Sequence, residues 1–109
     1  MVRKESNVAV AGMVGMDVDG NVVGKGDIIV QTRNYLENMK AFLETVGATM
    51  NDVIKTTIQL TDLANYKGLD IAYDGFLKES APAKATVPVD LAIPSLVVEI
   101  KALAILRND

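Results

Sequence analysis

The chain has 109 residues, enough for one compact core and too few for two. Half of the residues are hydrophobic, 14 acidic groups outnumber 11 basic ones for a net charge of −3, and neither cysteine nor histidine occurs. This excludes disulfides, thiolate chemistry, histidine metal sites, histidine general bases and Ser–His–Asp triads. No basic run occurs either, so there is no electrostatic basis for gripping a phosphate backbone.

The first six residues, Met1 to Ser6, lack the apolar stretch of a signal peptide. No segment reaches the roughly 18 apolar residues of a membrane span. The expectation is a soluble, cytoplasmic protein with neither membrane nor nucleic acid as partner. Aromatic residues are only 5% of the chain, so the core must be built from Val, Ile, Leu, Ala and Met. A domain this small buries about two-thirds of its unfolded surface, and so apolar a chain points to surfaces covered by partners.

In chain order, Asn7 to Val14 is short-stepped, β-branched and strand-like. Asp19-Gly20 between Val18 and Val22 is a hairpin-turn signal. Gly24-Lys25-Gly26 loosens the chain ahead of Asp27, which is placed to cap a helix. From Ile28 to Val46, Leu36, Met39, Leu43 and Val46 recur at helical spacing, and Gly47 is placed to end the helix.

Asp52 to Thr61 alternates as a strand, with Ile54, Thr56, Ile58 and Leu60 on one face. Asn65 to Lys78 is a second amphipathic helix with Leu69, Ala72, Tyr73, Phe76 and Leu77 inward, stopped by Ser80-Ala81-Pro82. Lys84 to Leu91 is a strand, and Pro88 suits an edge or a bulge. After the turn Ala92-Ile93-Pro94-Ser95, the last strand runs from Leu96 to Leu106.

The order β-β-α-β-α-β-β predicts one two-layer α+β domain over residues 1–109, with both helices on one face of a mixed sheet. The last strand is apolar on both faces apart from Glu99 and Lys101, so the sheet face away from the helices should be covered by another subunit.

Two loop motifs fail on inspection. Gly20 to Gly26 is one residue short of a phosphate-binding loop, and Gly26 stands where a magnesium-binding hydroxyl is needed. Asp17-x-Asp19-x-Asn21 begins like a calcium loop, but Val22 replaces the glycine and Ile28 the final Glu. Turn chemistry accounts for those carboxylates, and no metal or cofactor is expected.

One polar constellation remains. Lys84 and Thr86 share a strand face, as do Glu99 and Lys101 on the next strand. A hairpin of these strands would put both sets on one side of the sheet. There a cation, a hydroxyl and a carboxylate could bind a small carboxylate-bearing molecule or activate a water. The alternative is a Lys–Glu pair that merely satisfies charge at an interface, and spacing alone favours it.

Several ordered motifs together resemble the RidA/YjgF family of reactive-intermediate deaminases. Asp27 to Leu43, with Gln31-Thr32-Arg33 and Leu36-Glu37-Asn38-Met39-Lys40, looks like the family's first helix. Val53-Ile54-Lys55-Thr56-Thr57-Ile58, with Leu60-Thr61-Asp62-Leu63 after it, is similar to the family's central strand. Pro82-Ala83-Lys84-Ala85-Thr86-Val87 resembles its Pro-Ala-Arg-Ser/Ala-Thr-Val signature. Val97-Val98-Glu99-Ile100-Lys101-Ala102 resembles its Val-Glu-Ile-Glu-Ala ending. The likeness runs from about Asn7 onward.

The resemblance implies a chorismate-mutase-like homotrimer with clefts between subunits, and hydrolysis of enamines and imines such as 2-aminoacrylate to 2-keto acids and ammonia. It implies that Lys84 takes the place of the arginine that holds the substrate carboxylate. Thr86 corresponds to the hydroxyl or thiol two residues on, and Glu99 to the water-associated glutamate. Asp70 falls where the family has an asparagine, and Ala11 where it has a serine. The family's N-terminal Gly-Pro-Tyr/Ser-Gln-Ala segment has no counterpart here. Lysine offers a point charge where arginine offers a bidentate fork. The expected ligand is thus a small carboxylate-bearing imine or keto acid, bound for hydrolysis or, alternatively, held by a non-catalytic regulatory trimer. The endoribonuclease activity attached to some family names fits poorly with an acidic chain lacking histidine.

Overall fold

The computed structural model describes residues 2–10, 24–77, 83–90 and 97–106. The Asp19-Gly20 hairpin, Ala11, the calcium-like loop, the Ser80–Pro82 helix stop and the Ala92–Ser95 turn lie outside the described residues.

Among the described residues, seven main elements succeed one another. They are β1 (Val2–Lys4), β2 (Asn7–Val10), α1 (Ile28–Thr45), β3 (Val53–Leu60), α2 (Tyr66–Leu77), β4 (Ala83–Pro88) and β5 (Val98–Ile105). Short 3-10 turns, Met50–Asp52 and Leu63–Asn65, lead into β3 and α2.

Helix α1 begins where expected, because the Asp27 carboxylate accepts from the backbone N–H groups of Ile29 (3.0 Å) and Val30 (3.1 Å). It ends with Gly47 at φ 77°, a left-handed conformation that glycine adopts without strain. Leu36, Met39 and Leu43 are buried as their spacing predicts, and Gln31, Thr32 and Tyr35 are buried with them. In α2 the buried residues are Leu69, Ala72, Tyr73 and Leu77.

The strands form one sheet in the order β1-β2-β5-β3-β4. Strand β5 is antiparallel to both β2 and β3, whereas β3 and β4 are parallel. A parallel pair needs a crossover, and α2 supplies it. β4 is therefore an edge strand, in keeping with Pro88.

Both helices pack on one sheet face. Their apolar residues join Val8, Val10, Ile58, Leu60, Val98, Ile100 and Ala104 in a single core. Each large aliphatic side chain among them contributes about 1.5–3 kcal/mol on burial. The opposite face presents Lys55, Thr57, Gln59, Ala85, Val87, Glu99, Lys101, Leu103 and Ile105, in keeping with the two-sided apolar pattern of β5, and no helix covers it among the described residues.

Two expectations are corrected. The first strand, β1, has no counterpart in the sequence pattern: the turn joining it to β2 carries no Gly or Asn-Gly signal, and Glu5 itself adopts the left-handed conformation at φ 55°. In β3, Ile54 does not share the core face. A register irregularity between Val53 and Lys55 leaves Ile54 47% exposed and buries Val53 instead, because one extra residue reverses the alternation.

Candidate functional site

Strand β4 lies alongside β3 with Lys84 beside Thr56 and Thr86 beside Ile58. Thr56 and Ile58 are both fully buried under the helices, so Lys84 and Thr86 also point to the helix side. Above them α2 carries Tyr66, Asp70 and Tyr73, spaced so that all three share one helical face.

The Lys84 ammonium pairs with the Asp70 carboxylate. It also sits 4.6 Å from the centre of the Tyr73 ring and 5.2 Å from that of Tyr66, within range of a cation–π attraction. The Tyr73 hydroxyl is hydrogen-bonded to the Thr56 hydroxyl at 2.7 Å, which anchors the ring from below. The Lys84 side chain is 22% exposed and that of Asp70 is 38% exposed, so the pair stands at the mouth of the site and not in the core.

Burial of the Lys84 ammonium works against its charge, but the hydrogen bond and the negative charge of Asp70 outweigh this and raise its pKa. Burial also raises the pKa of the Tyr73 hydroxyl, partly offset by the Thr56 hydrogen bond and the Lys84 charge. Lys84 is thus a held, permanently protonated donor at neutral pH, suited to an anionic group. Its raised pKa is the opposite of what a Schiff-base lysine requires.

Glu99 lies elsewhere. It is beside Gln59 on β3, and Lys101 is beside Thr57, both on the face away from the helices. The expected hairpin of the last two strands does not form. Strand β4 returns from α2 parallel to the outer edge of β3, and β5 inserts between β2 and β3. Lys84 and Glu99 are therefore two strands apart on opposite faces, so the shared face foreseen for the two polar sets is corrected. Thr86 remains with Lys84. On the open face Lys55, Thr57, Lys101 and Leu103 line a shallow hollow of about 200 Å³. A larger hollow of about 370 Å³ lies between the helices, bordered by Lys40, Glu44, Asn51 and Phe76.

Among the described residues no group of three or more acidic side chains is arranged to hold a metal ion. Nor is any helix among them long and apolar enough to cross a membrane. Sequence reasoning places Tyr73 and Thr56 on core-facing sides of their elements and passes over Tyr66. The spacing of Tyr66, Asp70 and Tyr73 on one helical face is the signal that could have found Tyr66.

An α+β sheet with two helices on one face and a half-buried cation at its edge defines the class, and comparison with known proteins fixes the family. The Endoribonuclease L-PSP family matches residues 1–106. A RutC family protein of Pyrococcus abyssi is 37% identical over 97 residues, 89% of this chain and 76% of the relative. The crystal structure of RidA from an Antarctic Psychrobacter is 30% identical with a TM-score of 0.87, over 96% of this chain and 85% of the other. A YjgF/YER057c/UK114 family member from Mycobacterium tuberculosis is 31% identical with a TM-score of 0.83, over 95% and 82%. The chain belongs to the RidA/YjgF/L-PSP family.

Proposed function

We propose that this protein hydrolyses small carboxylate-bearing imines, of the kind formed from 2-aminoacrylate, to 2-keto acids and ammonia. The reading rests on one observation above others. Lys84, which matches the family's carboxylate-holding position, is a protonated ammonium fixed over two tyrosine rings yet still partly exposed to solvent. In this reading Lys84 holds the substrate carboxylate, while Thr86 and Asp70 border the reacting nitrogen. Glu99 positions the water that adds to the C=N carbon. The bond to nitrogen then breaks, ammonium leaves, and the keto group takes its place. An imine beside a carboxylate is already electrophilic, so orientation and the transfer of one proton suffice.

Because Lys84 and Glu99 occupy opposite sheet faces, a ligand of a few carbon atoms cannot touch both within one subunit. The reading therefore takes Glu99 from a neighbouring subunit of a homotrimer. Its test is to generate 2-aminoacrylate in situ and follow keto acid and ammonium. The wild-type protein should accelerate hydrolysis, and Glu99→Ala should fold and assemble but lose the acceleration. Equal rates with and without protein, across several short imino acids, would overturn it.

The Lys84–Asp70 pair favours a second reading, a trimer that binds small carboxylates without turning them over. Ligand-induced thermal shifts without ammonium release would mark it. RNA cleavage has less support, since the chain has no histidine and a net charge of −3.

A further inference from the structure

The Lys84 ammonium is not a vacant positive charge. Asp70 already neutralises it. A purely anionic ligand arriving at Lys84 must either displace Asp70 or share the ammonium with it, and either way two carboxylates stand together over one cation. A ligand carrying both signs meets no such conflict. Its carboxylate takes Lys84 and its protonated nitrogen takes Asp70, so one ion pair opens and two form. The exchange is open to the side chains involved, because Asp70 is 38% exposed and ion pairs at that exposure are weak.

We infer that Asp70 is a specificity-determining residue that makes this site select zwitterionic small acids over purely anionic ones. In the proposed reaction the protonated imino acid is the zwitterion and the 2-keto acid is the anion. Hydrolysis removes the nitrogen that Asp70 holds, so the product faces an unpaired carboxylate, which hastens its release. The inference rests on the reading of Lys84 as the carboxylate-holding residue, but it does not require turnover. It also distinguishes Asp70 from a residue that only pins Lys84 in place, since a pin would treat both ligand classes alike.

The experiment is calorimetric titration of the full chain with stable members of each class at pH 7. 2-Aminobutyrate is the zwitterion and 2-oxobutyrate the anion, tested on wild type, Asp70→Asn and Asp70→Ser. Wild type should bind the zwitterion about tenfold more tightly, and both variants should reverse the order by gaining affinity for the keto acid. Two uncharged replacements guard against a folding defect in either, and thermal melts identify one. An unchanged affinity ratio in both folded variants would overturn the role of Asp70 while leaving Lys84 as the carboxylate partner. So would wild type that prefers the keto acid. Binding of neither ligand to any of the three proteins would overturn the inference and the Lys84 reading together.

Discussion

Two contacts define the site at the residue scale, Lys84 to Asp70 and Tyr73 to Thr56, and they differ in what breaking them costs. The first is near solvent and contributes at most about 1 kcal/mol to stability, so opening it for a ligand costs little. Lys84→Ala should weaken binding of a 2-keto acid while leaving the assembly intact. Lys84→Arg should preserve or improve binding, because a guanidinium fork suits a carboxylate. Unchanged affinity in Lys84→Ala would reduce Lys84 to a structural partner.

The second contact is buried, and Thr56 has no access to water. Tyr73→Phe strands the Thr56 hydroxyl and should cost about 1–3 kcal/mol in urea unfolding. Titration involves the same two groups. Folded Lys84 and folded Tyr73 both have raised pKa values, so each holds its proton more tightly than in the unfolded chain. Their contribution is complete below the unfolded values and is lost as pH rises through the folded ones. Stability should therefore decline above about pH 10. In Lys84→Ala the decline should be shallower, read as the melting temperature against pH.

At the scale of elements, the junction of α1 and α2 decides where the α2 face of Tyr66, Asp70 and Tyr73 sits. A Cβ built on Gly68 would lie 2.7 Å from Ile28 Cγ2, so the helices approach here as only glycine allows. Gly68→Ala should push α2 from the start of α1 and lower stability by about 1–3 kcal/mol. A melting temperature equal to wild type would show that Ile28 moves aside freely.

Gln31, fully buried near the start of α1, ties distant segments together. Its amide donates to the Gly24 carbonyl (3.1 Å) and accepts from the Val97 N–H (2.9 Å). Val97 leads into the strand that carries Glu99. The interior glutamine thus fixes the start of α1 to the start of β5.

Considered as a whole molecule, the described residues leave one sheet face without a covering helix, with Val87 and Ile105 each about two-fifths exposed. A closed cyclic assembly would cover it, and light scattering at micromolar concentration should give the mass of a trimer. A monomer or dimer would overturn that expectation. The opposite-face placement of Lys84 and Glu99 gives a sharper test. Lys84→Ala and Glu99→Ala should each be inactive alone. Co-refolded in equal amounts they should regain activity at about a quarter of the sites, if each site draws on two subunits. No recovery in verified mixed trimers would place both residues' work within one subunit or remove Glu99 from the reaction.

What the sequence determined by itself was whatever depends on neighbours along the chain. Helical spacing located α1 and α2, Asp27 and Gly47 marked the ends of α1, and alternation assigned the two faces of β5. The coincidence of several ordered motifs identified the family. Tertiary structure alone decided which strands pair, and with that whether polar residues meet. Alternation groups Lys84 with Thr86 and Glu99 with Lys101, but it carries no information on the strand that lies between the two pairs. Strand order depends on how α2 crosses over and on which core faces can be buried together, and both are non-local. The same holds for the bulge at Ile54, where the partner strand breaks the local alternation, and for Lys84. Only folding brings α2 over β4 and turns an ordinary strand lysine into a cation held between a carboxylate and two aromatic rings.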